Sequence, residues 1–269
     1  MANRRRGSSN SDSNSEEVSK LHSLAQLAGV SISTRTHSLL TMEAPNVWLR
    51  NDKGVEVISM TESRLQETLA MMRESYYPDE SAAVGIELHK CPESIDELER
   101  LTIETFEDGT SMIAIFQNKV VGASFNKVQL KPKSGDLGYF EEFRDFKCKT
   151  DSAKEYVNNM IIADSKKDAF EHYGVRKSLE LMFLGVCKRH RGLGIGQLLT
   201  EATSVVAKQR GLPIVTAIFT SVESQKIGRR LQWDELIDIP MHEFVYRGIP
   251  YSNFTGRNQS MVLMAKKLI

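Results

Sequence analysis

The stretch Arg191-Gly192-Leu193-Gly194-Ile195-Gly196 decides the fold, and it lies between an apolar run and a helical pattern. Residues 179–186 before it predict a buried strand, and residues 197–209 after it predict a helix. Three glycines in five residues leave the backbone N–H groups uncovered by side chains. The first turn of a helix adds unpaired N–H groups and the positive end of its dipole. With Arg191 beside them, these groups predict a pyrophosphate site.

Two well-known phosphate loops do not fit these residues. A dinucleotide fingerprint needs a third glycine at Gln197 or at Leu199, depending on the register. A Walker A loop needs lysine directly after the last glycine, and Gln197 follows Gly196. The residues do fit the pattern Arg-x-x-Gly-x-Gly from Arg191, with an overlapping register from Arg189. A glycine-rich turn without a ligand is the alternative.

Composition limits the class of protein. The 269 residues, 41% of them hydrophobic, can bury a sizeable core within one domain. The 35 basic and 35 acidic residues give a formal charge of zero, which predicts neither a nucleic-acid nor an anionic-membrane partner. Cys91, Cys148 and Cys187 match no metal-ligand spacing, and their odd number argues against a secreted disulfide framework. We therefore expect a cytoplasmic protein without a metal, a monomer being compatible with these data.

Domain boundaries follow from apolar content. The first 20 residues are rich in Ser, Asn and charge, and such a segment cannot offset its ordering entropy by burial. We expect residues 1–50 to be a largely disordered or weakly ordered tail and residues 51–269 to be one folded domain. No apolar run reaches the roughly 18 residues of a membrane span, and no signal peptide is visible.

The rest of the chain alternates strand and helix patterns. Predicted strands are 55–59, 111–117, 120–130, 179–186, 213–219, 235–239 and 259–266, and predicted helices are 61–73, 94–106, 153–172, 193–210 and 221–231. Asn118-Lys119 predicts a hairpin, and the strand-helix-strand unit around the glycines predicts parallel pairing, hence a mixed sheet. Residues 131–175 exceed an ordinary connection and are either a substrate-shaping element or a surface excursion.

The glycine motif, with its strand before and its amphipathic helix after, resembles the CoA-binding motif of the GNAT superfamily of N-acyltransferases. The resemblance covers residues 55–267 and implies an α/β fold: a mixed central sheet of about seven strands flanked by helices, with a helical insertion before the central strand. It also implies acetyl-CoA or another acyl-CoA as co-substrate. The donor-binding residues it implies are Leu184, Gly185, Val186, Arg191, Gly192, Leu193, Gly194, Ile195, Gly196, Ser221 and Lys226.

A second segment, from Arg73 to Ser81, resembles the insect arylalkylamine N-acetyltransferases and their relatives, which carry an aromatic pair followed by Asp-Glu-Pro. In that family the glutamate is the general base, a role that falls here on Glu80, although Ser81 replaces the usual proline. An alkylamine has a pKa of about 10.4, and only its neutral form can attack a thioester, so a base is needed. A solvated turn is the alternative for Glu80, and Glu74 and Glu87 are competing bases.

A third segment concerns the proton donor. Aligning residues 231–233 with the superfamily's Leu-Gly-Phe puts Gly228 where many members carry a tyrosine that protonates the departing thiolate. In the insect enzymes two hydroxyls one turn apart are implicated in proton transfer, and the matching residues are Thr220 and Ser224. Positions i and i+4 share a helix face, so both hydroxyls would point at the sulfur.

The same residues also fit a helix start. Thr220 with Glu223 forms a capping-box sequence, and Ser221 is an equally good cap. Lys226 fits a solvated helix face as well as a phosphate contact. Structural and catalytic interpretations therefore both stand for this segment.

The loop before the last strand carries Tyr246 and Tyr251, which either line an acceptor pocket or are ordinary loop aromatics. The turn residues Gly248 and Pro250 place this loop at the surface. His242 is a weaker candidate base.

Together these features predict transfer of an acetyl or longer acyl group from acyl-CoA to a small primary amine, an arylalkylamine or related biogenic amine, by direct attack in a ternary complex. The alternative is a catalytically silent CoA-binding sensor or interaction module, which Gly228 and Ser81 keep open. Acylation of protein lysines is a third possibility.

Overall fold

The structure, a computed structural model, describes residues 46–269, and the tail predicted before them lies outside the described residues. The helices are α1 Glu62–Ser75, α2 Ser81–Gly85, α3 Pro92–Glu107, α4 Tyr139–Phe146, α5 Asp151–Lys166, α6 Ala169–Tyr173, α7 Ile195–Gln209 and α8 Val222–Arg230. The strands are β1 Val47–Arg50, β2 Glu56–Ser59, β3 Met112–Phe116, β4 Lys119–Leu130, β5 Lys177–Val186, β6 Ile214–Phe219, β7 Asp234–Pro240, β8 Val245–Tyr246, β9 Ile249–Pro250 and β10 Ser260–Lys267. The seven predicted strands are all present, each within two residues at either end.

The main sheet has eight strands in the order β1-β2-β3-β4-β5-β6-β10-β7. Its neighbours pair antiparallel except β5 and β6, which pair parallel, so the predicted mixed α/β sheet is confirmed. A second sheet contains only β8 and β9.

The eighth strand, β1, lies inside the segment predicted as tail. Its Val47 and Leu49 pair with β2, and Trp48 Nε1 donates a 2.9 Å hydrogen bond to Ser59 Oγ. Trp48 and Leu49 also pack against the core. The folded part of the chain therefore starts before residue 51, because one short apolar run completes the edge of the sheet.

Each face of the sheet has its own apolar core. On one face, α7 buries Ile195, Leu198, Leu199, Ala202 and Val206 against the sheet, as its apolar stripe predicts. Val205, which the sequence places in the same stripe, is exposed. On the other face, α1, α3 and α5 bury residues such as Met72, Leu101 and Tyr156. The sheet is thus covered by helices on both sides.

The hairpin between β3 and β4 turns one residue earlier than predicted. Phe116 pairs with Lys119, so Gln117 and Asn118 form the turn, with φ of 49° and 61°. Two successive positive φ values are those of a type I′ turn, and asparagine tolerates this conformation better than most residues. Arg64 donates to the carbonyl and the side-chain oxygen of Asn118, which holds the turn on α1.

The segment between β4 and β5 contains three helices, α4, α5 and α6, where the sequence predicted one. The predicted helix ends at Lys166, and a new one starts after Asp168, whose side chain accepts from Glu171 N at 3.1 Å. Phe143 and Tyr156 of this segment are buried in the core. Parts of the insertion therefore belong to the domain's core.

Within residues 46–269, no helix is long and apolar enough to cross a membrane. The same residues contain no group of three or more His, Cys, Asp or Glu side chains arranged to hold a metal ion.

Candidate active site

The strands β5 and β6 separate partway along their length, and a cleft opens between them. They pair only at Leu179 with Val215 and at Glu180 with Thr216. Beyond this point a cleft of about 690 Å³ lies between the ends of β5 and β6, the glycine loop and the start of α8. Of the predicted donor-binding residues, those bordering the cleft are Leu184, Gly185, Val186, Arg191, Gly192, Gly194, Ile195, Gly196, Ser221 and Lys226. The fold therefore brings together residues from three segments of the chain.

The glycine loop has the backbone geometry of an anion site. Gly192 and Gly194 have φ of 82° and 79°, the left-handed region that glycine adopts without strain. Alternating left- and right-handed residues turn successive N–H groups toward one side. In the part of the chain that the structure describes, the N–H groups of Gly192, Leu193 and Gly194 donate to no protein acceptor. Helix α7 starts at Ile195, two residues later than predicted, because Gly194 is its left-handed N-cap.

Leu193 differs from its neighbours in the loop. Its side chain packs against the core on the α7 face of the sheet, and it does not border the cleft. A contact between this residue and a ligand would therefore be made by its backbone.

Arg191 borders the cleft, but its charge is already paired. Its Nη1 lies 2.7 Å from Asp79 Oδ2, and its Nη2 donates to the carbonyl of Ser75 at 2.8 Å. Burial alone would raise the pKa of Asp79, yet hydrogen bonds from Arg191 and Lys188 hold that pKa below its ordinary value. Arg191 therefore fastens the glycine loop to the end of α1, in addition to the positive charge it brings to the loop.

Glu80 borders the same cleft and is 9% exposed. Its carboxylate caps α2, accepting from Ala82 N at 3.1 Å and Ala83 N at 2.7 Å. It also accepts from Thr220 Oγ1 at 2.7 Å, across the cleft at the end of β6. Glu80 is thus not a solvated turn residue, and three of its roughly four acceptor positions are occupied.

Ser81 reinforces this connection. It is the first residue of α2, the position where proline is favoured but other residues are accepted. Its Oγ donates to the carbonyl of Thr220 at 2.7 Å. The serine that stands in place of proline therefore leaves the turn at Glu80 intact and adds a second hydrogen bond to Thr220, directly after β6.

The start of α8 uses its hydroxyls for capping. Ser221 is the N-cap, and its Oγ accepts from Ser224 N at 3.2 Å, while Ser221 N donates back to Ser224 Oγ at 3.2 Å. The capping box is therefore Ser221 with Ser224, and the box predicted from Thr220 and Glu223 is wrong. Thr220 precedes the helix and turns to Glu80, so Thr220 and Ser224 do not share a helix face, although both border the cleft.

The other candidate bases lie elsewhere. Glu74 is largely exposed, with its carboxylate 3.8 Å from Arg189. Glu87 pairs with Lys90 on the surface. Neither borders the cleft, so Glu80 is the one of the three carboxylates that the structure brings to it.

Two tyrosines that the sequence did not single out as site residues lie beside Glu80. The hydroxyls of Tyr76 and Tyr156 are 3.0 Å apart. Burial, and then the negative charge of Glu80, raises the pKa of both groups well above the ordinary value, so both remain neutral hydrogen-bond donors. Tyr76 belongs to the aromatic pair in the sequence, but nothing in the helical pattern of α5 distinguishes Tyr156 from a core residue.

The loop before the last strand contributes neither of its two predicted tyrosines to the cleft. Tyr251 is fully buried, its hydroxyl accepting from Asn159 Nδ2 at 3.0 Å, and it does not border the cleft. Tyr246 and His242 do not border it either. Arg257 and Asn258 of the same loop do, and Asn258 Oδ1 accepts from Val222 N at 3.1 Å.

The chain is similar in fold to several solved N-acetyltransferase structures. No family model matches the chain. Arylalkylamine N-acetyltransferase 2 from Aedes aegypti is 19% identical with a TM-score of 0.70, over 81% of this chain and 100% of that chain. The putative arylalkylamine N-acetyltransferase 7 from the same mosquito is 19% identical with a TM-score of 0.72, over 88% and 100%. A Drosophila melanogaster polyamine N-acetyltransferase that forms N-acetylagmatine is 17% identical with a TM-score of 0.68, over 80% and 100%.

The chain has the GNAT fold. The strands that separate in it, β5 and β6, are the ones on either side of the glycine loop and α7. The predicted fold class and its resemblance are confirmed at the level of the fold.

Within this GNAT fold, Gly228 does not face the cleft. A Cβ added to it would lie 2.5 Å from Met264 Sδ and 2.8 Å from Phe219 Cε2, beneath α8. A tyrosine here would therefore point into the core and not toward a thiolate. The residues of α8 that border the cleft include Ser224 and Ile227. The identity of residue 228 therefore does not decide which group donates the proton.

Two further cavities lie in the GNAT fold near the cleft. A small cavity of about 40 Å³ has Glu80, Tyr156 and Glu180 in its wall, and the first of these also borders the cleft. A second cavity of about 340 Å³ shares Glu180 and reaches Asp164 of α5. Burial raises the pKa of both Glu180 and Asp164, and the negative charge of Asp164 raises that of Glu180 further.

The raised pKa of Glu180 predicts that its contribution to the free energy of unfolding falls as pH rises. The unfolded chain releases the proton of Glu180 at the ordinary pKa of a glutamate, about 4.3, whereas the folded protein keeps it to higher pH. Stabilisation is therefore complete at low pH and is lost as pH rises toward the folded pKa. In Glu180→Gln the amide oxygen can still accept from Gln129. We expect the free energy of unfolding of this variant to exceed that of wild type by about 1 kcal/mol or more at pH 8, or roughly 2–4 °C in Tm.

Thermal denaturation from about pH 5 to 9 measures this effect. The Tm advantage of Glu180→Gln over wild type should be smallest near pH 5 and should grow as pH rises to 8. Glu142→Gln, which neutralises an exposed carboxylate on α4, is the control. Parallel pH curves for wild type and Glu180→Gln would show that Glu180 is already charged in the folded protein.

Proposed function

We propose that this protein transfers an acetyl or longer acyl group from acyl-CoA to a small primary amine, an arylalkylamine or related biogenic amine, by direct attack in a ternary complex. The observation that carries the proposal is the cleft between β5 and β6, which has unpaired backbone N–H groups at one end and Glu80 in its wall. The likeness to mosquito and fly N-acetyltransferases of the same fold supports it.

The donor would bind along β5 and the glycine loop. Beyond Glu180 the edge of β5 that faces β6 has no strand partner, so its backbone groups are available to the amides of a pantetheine arm. The pyrophosphate would lie against the N–H groups from Gly192 to Gly196, at the positive end of α7. Backbone groups of Leu184 to Val186 would align and polarise the thioester carbonyl. Ser221 and Lys226 border the same cleft.

The acceptor amine must lose a proton before it attacks. Glu80 retains about one free acceptor position, which suits a water that passes the proton from the amine to the carboxylate. Thr220 supports this role by fixing one carboxylate oxygen. Tyr76 and Tyr156, both neutral, lie with Glu80 in the wall of the small cavity.

The CoA thiolate can leave without a strong proton donor. A thiol pKa near 8.5 makes CoA a fair leaving group. Ser224 borders the cleft, but its Oγ lies 2.9 Å from Ser221 Oγ and donates to the carbonyl of Ser221 at 3.0 Å, so its proton has partners inside the capping box. We propose that Ser224 takes part by exchanging this proton with the sulfur or with a water beside it.

The acceptor would extend from Glu80 into the two cavities beyond it. Glu180 lines both cavities and Asp164 the second, and a cationic amine placed there would favour ionisation of these carboxyls, whereas an acidic molecule would oppose it. If the acceptor is an arylalkylamine, the walls formed by Tyr156, Met182 and Met261 would contact its apolar portion.

A matrix of amines against acyl-CoA chain lengths tests the proposal. Thiol release should require both substrates, and calorimetry should detect CoA binding. A sensor would bind CoA without turnover. Ser81 keeps the turn at Glu80 and so does not support this alternative, whereas α8 still presents no tyrosine to the cleft. Absence of CoA binding to the intact chain would refute both functions.

A further inference from the structure

The turn between β1 and β2 contacts the back of the glycine loop. Asn51 Nδ2 donates to the carbonyl of Leu193 at 3.1 Å. Lys53 Nζ donates to the carbonyl of Gly192 at 3.3 Å. Neither Asn51 nor Lys53 borders the cleft, so both reach the loop from the side away from a ligand.

Asn51 is held firmly by its own turn. Its Oδ1 accepts from Lys53 N at 3.1 Å and from Val55 N at 3.0 Å. Its backbone pairs with Val55 O at 3.1 Å and accepts from Gly54 N at 3.3 Å. Because two backbone donors fix the oxygen of the amide, its nitrogen has one direction left, toward Leu193.

The held carbonyls determine where the loop's N–H groups point. In a trans peptide unit the C=O and the following N–H point in opposite directions. A carbonyl of Leu193 held toward Asn51 therefore directs Gly194 N–H away from the turn, and the carbonyl of Gly192 does the same for Leu193 N–H. The left-handed conformations of Gly192 and Gly194 complete an anion-binding concavity on that side.

A loop of this composition needs such support. Glycine adopts many backbone conformations at similar cost, so Gly192 and Gly194 alone do not fix the direction of the amides. A site whose donors are already oriented loses less entropy on binding than one that must be ordered by its ligand.

We propose that Asn51, assisted by Lys53, is a positioning residue for the pyrophosphate of acyl-CoA. It holds the carbonyl side of the glycine loop so that the N–H groups of Leu193 and Gly194 face the anion before it arrives. The inference rests on the proposed function, since it assigns the loop's ligand as the pyrophosphate of the donor.

The variant Asn51→Asp tests this directly. Aspartate keeps an oxygen for Lys53 N and Val55 N but replaces the donor to Leu193 with a second acceptor. We expect the Kd for CoA and the KM for acetyl-CoA to rise by roughly tenfold, with kcat near that of wild type. Acetyl-pantetheine, which has no pyrophosphate, should be used by the variant as well as by wild type.

Two further variants complete the design. Arg50→Gln makes the same change in charge on the same hairpin, but Arg50 pairs with Glu56 and not with the loop, so its Kd should match wild type. Lys53→Met removes the donor to Gly192 without touching the Asn51 turn, and a rise of about twofold in Kd is expected for this exposed contact.

The outcomes separate the two proposals. Equal CoA affinity in Asn51→Asp and Arg50→Gln would overturn the role of Asn51 while leaving the proposed function intact. An equal loss toward acetyl-CoA and acetyl-pantetheine would overturn it too, because a general distortion of the domain would then explain the effect. Wild-type protein that does not bind CoA would overturn the proposed function and this inference with it.

Discussion

Replacing Glu80 is expected to lower kcat/KM for amine acylation by about 100-fold or more, the range found when a general base is removed. The informative variant is Glu80→Asp. Aspartate is as good an N-cap as any residue, so it should still cap α2 through Ala82 and Ala83. Its shorter side chain withdraws the carboxylate from Thr220 and from the space where the amine must lie. Activity should therefore fall while Tm stays near the wild-type value.

The second variant, Glu80→Gln, removes the charge but keeps the size of the side chain. It should be as inactive as Glu80→Asp or more so, because the amide cannot accept the proton of the amine. The control is Glu74→Gln, which neutralises an exposed carboxylate near the same end of α1. A Glu80→Gln protein with a folded far-UV spectrum and full rate from about pH 6 to 9 would refute the assignment of the base.

Gly85→Ala is expected to destabilise the protein by about 3 kcal/mol, roughly 6–12 °C in Tm for a domain of this size. A Cβ at Gly85 would lie 2.4 Å from the Cγ and Cδ2 of Tyr251. Tyr251 cannot withdraw, because it is fully buried and bonded to Asn159. The sign is distinctive, since glycine to alanine inside a helix ordinarily stabilises by up to about 1 kcal/mol.

Thermal denaturation measures this effect, and activity should fall with it because Glu80 caps the helix that Gly85 ends. The matched control is Gly138→Ala, where the added Cβ would lie 3.4 Å from Glu141 Oε2, an ordinary contact. Because Gly138 is the N-cap of α4, where alanine is less favourable than glycine, Gly138→Ala should lower Tm slightly and far less than Gly85→Ala does. A Gly85→Ala protein as stable as Gly138→Ala would mean that Tyr251 has room to move.

Local sequence was sufficient wherever the structure depends on near neighbours. The apolar run that becomes β5, the three glycines and the stripe of α7 each specify a conformation through residues within a few positions, and all three were predicted within two residues. The eighth strand was missed because four residues carry too little periodicity to distinguish a strand from a tail. The same limit hid α2, which has five residues, and the prediction merged the five residues of α6 with α5 into one helix.

Side-chain roles were harder to predict because they depend on distant partners. Arg191 meets Asp79, and Thr220 meets Glu80, across more than 100 residues of chain. Gly228 was aligned correctly with a helix, but the register of that helix on the sheet turns it toward Met264. The neighbouring turn residues predicted that Tyr251 lies at the surface. It is buried instead, because Gly85 has no side chain and leaves space for its ring.

The sequence by itself determined the sheet of the GNAT fold, the glycine loop at its centre and the order of the elements around it, because hydrophobic periodicity and glycine conformations are local properties. Only the tertiary structure decided which groups share the cleft. Glu80 faces Thr220 in the cleft, Tyr156 of the insertion lines the small cavity beside Glu80, and Asn51 supports the glycine loop from behind. Each of these contacts exists only once strands and helices far apart in the chain have packed together.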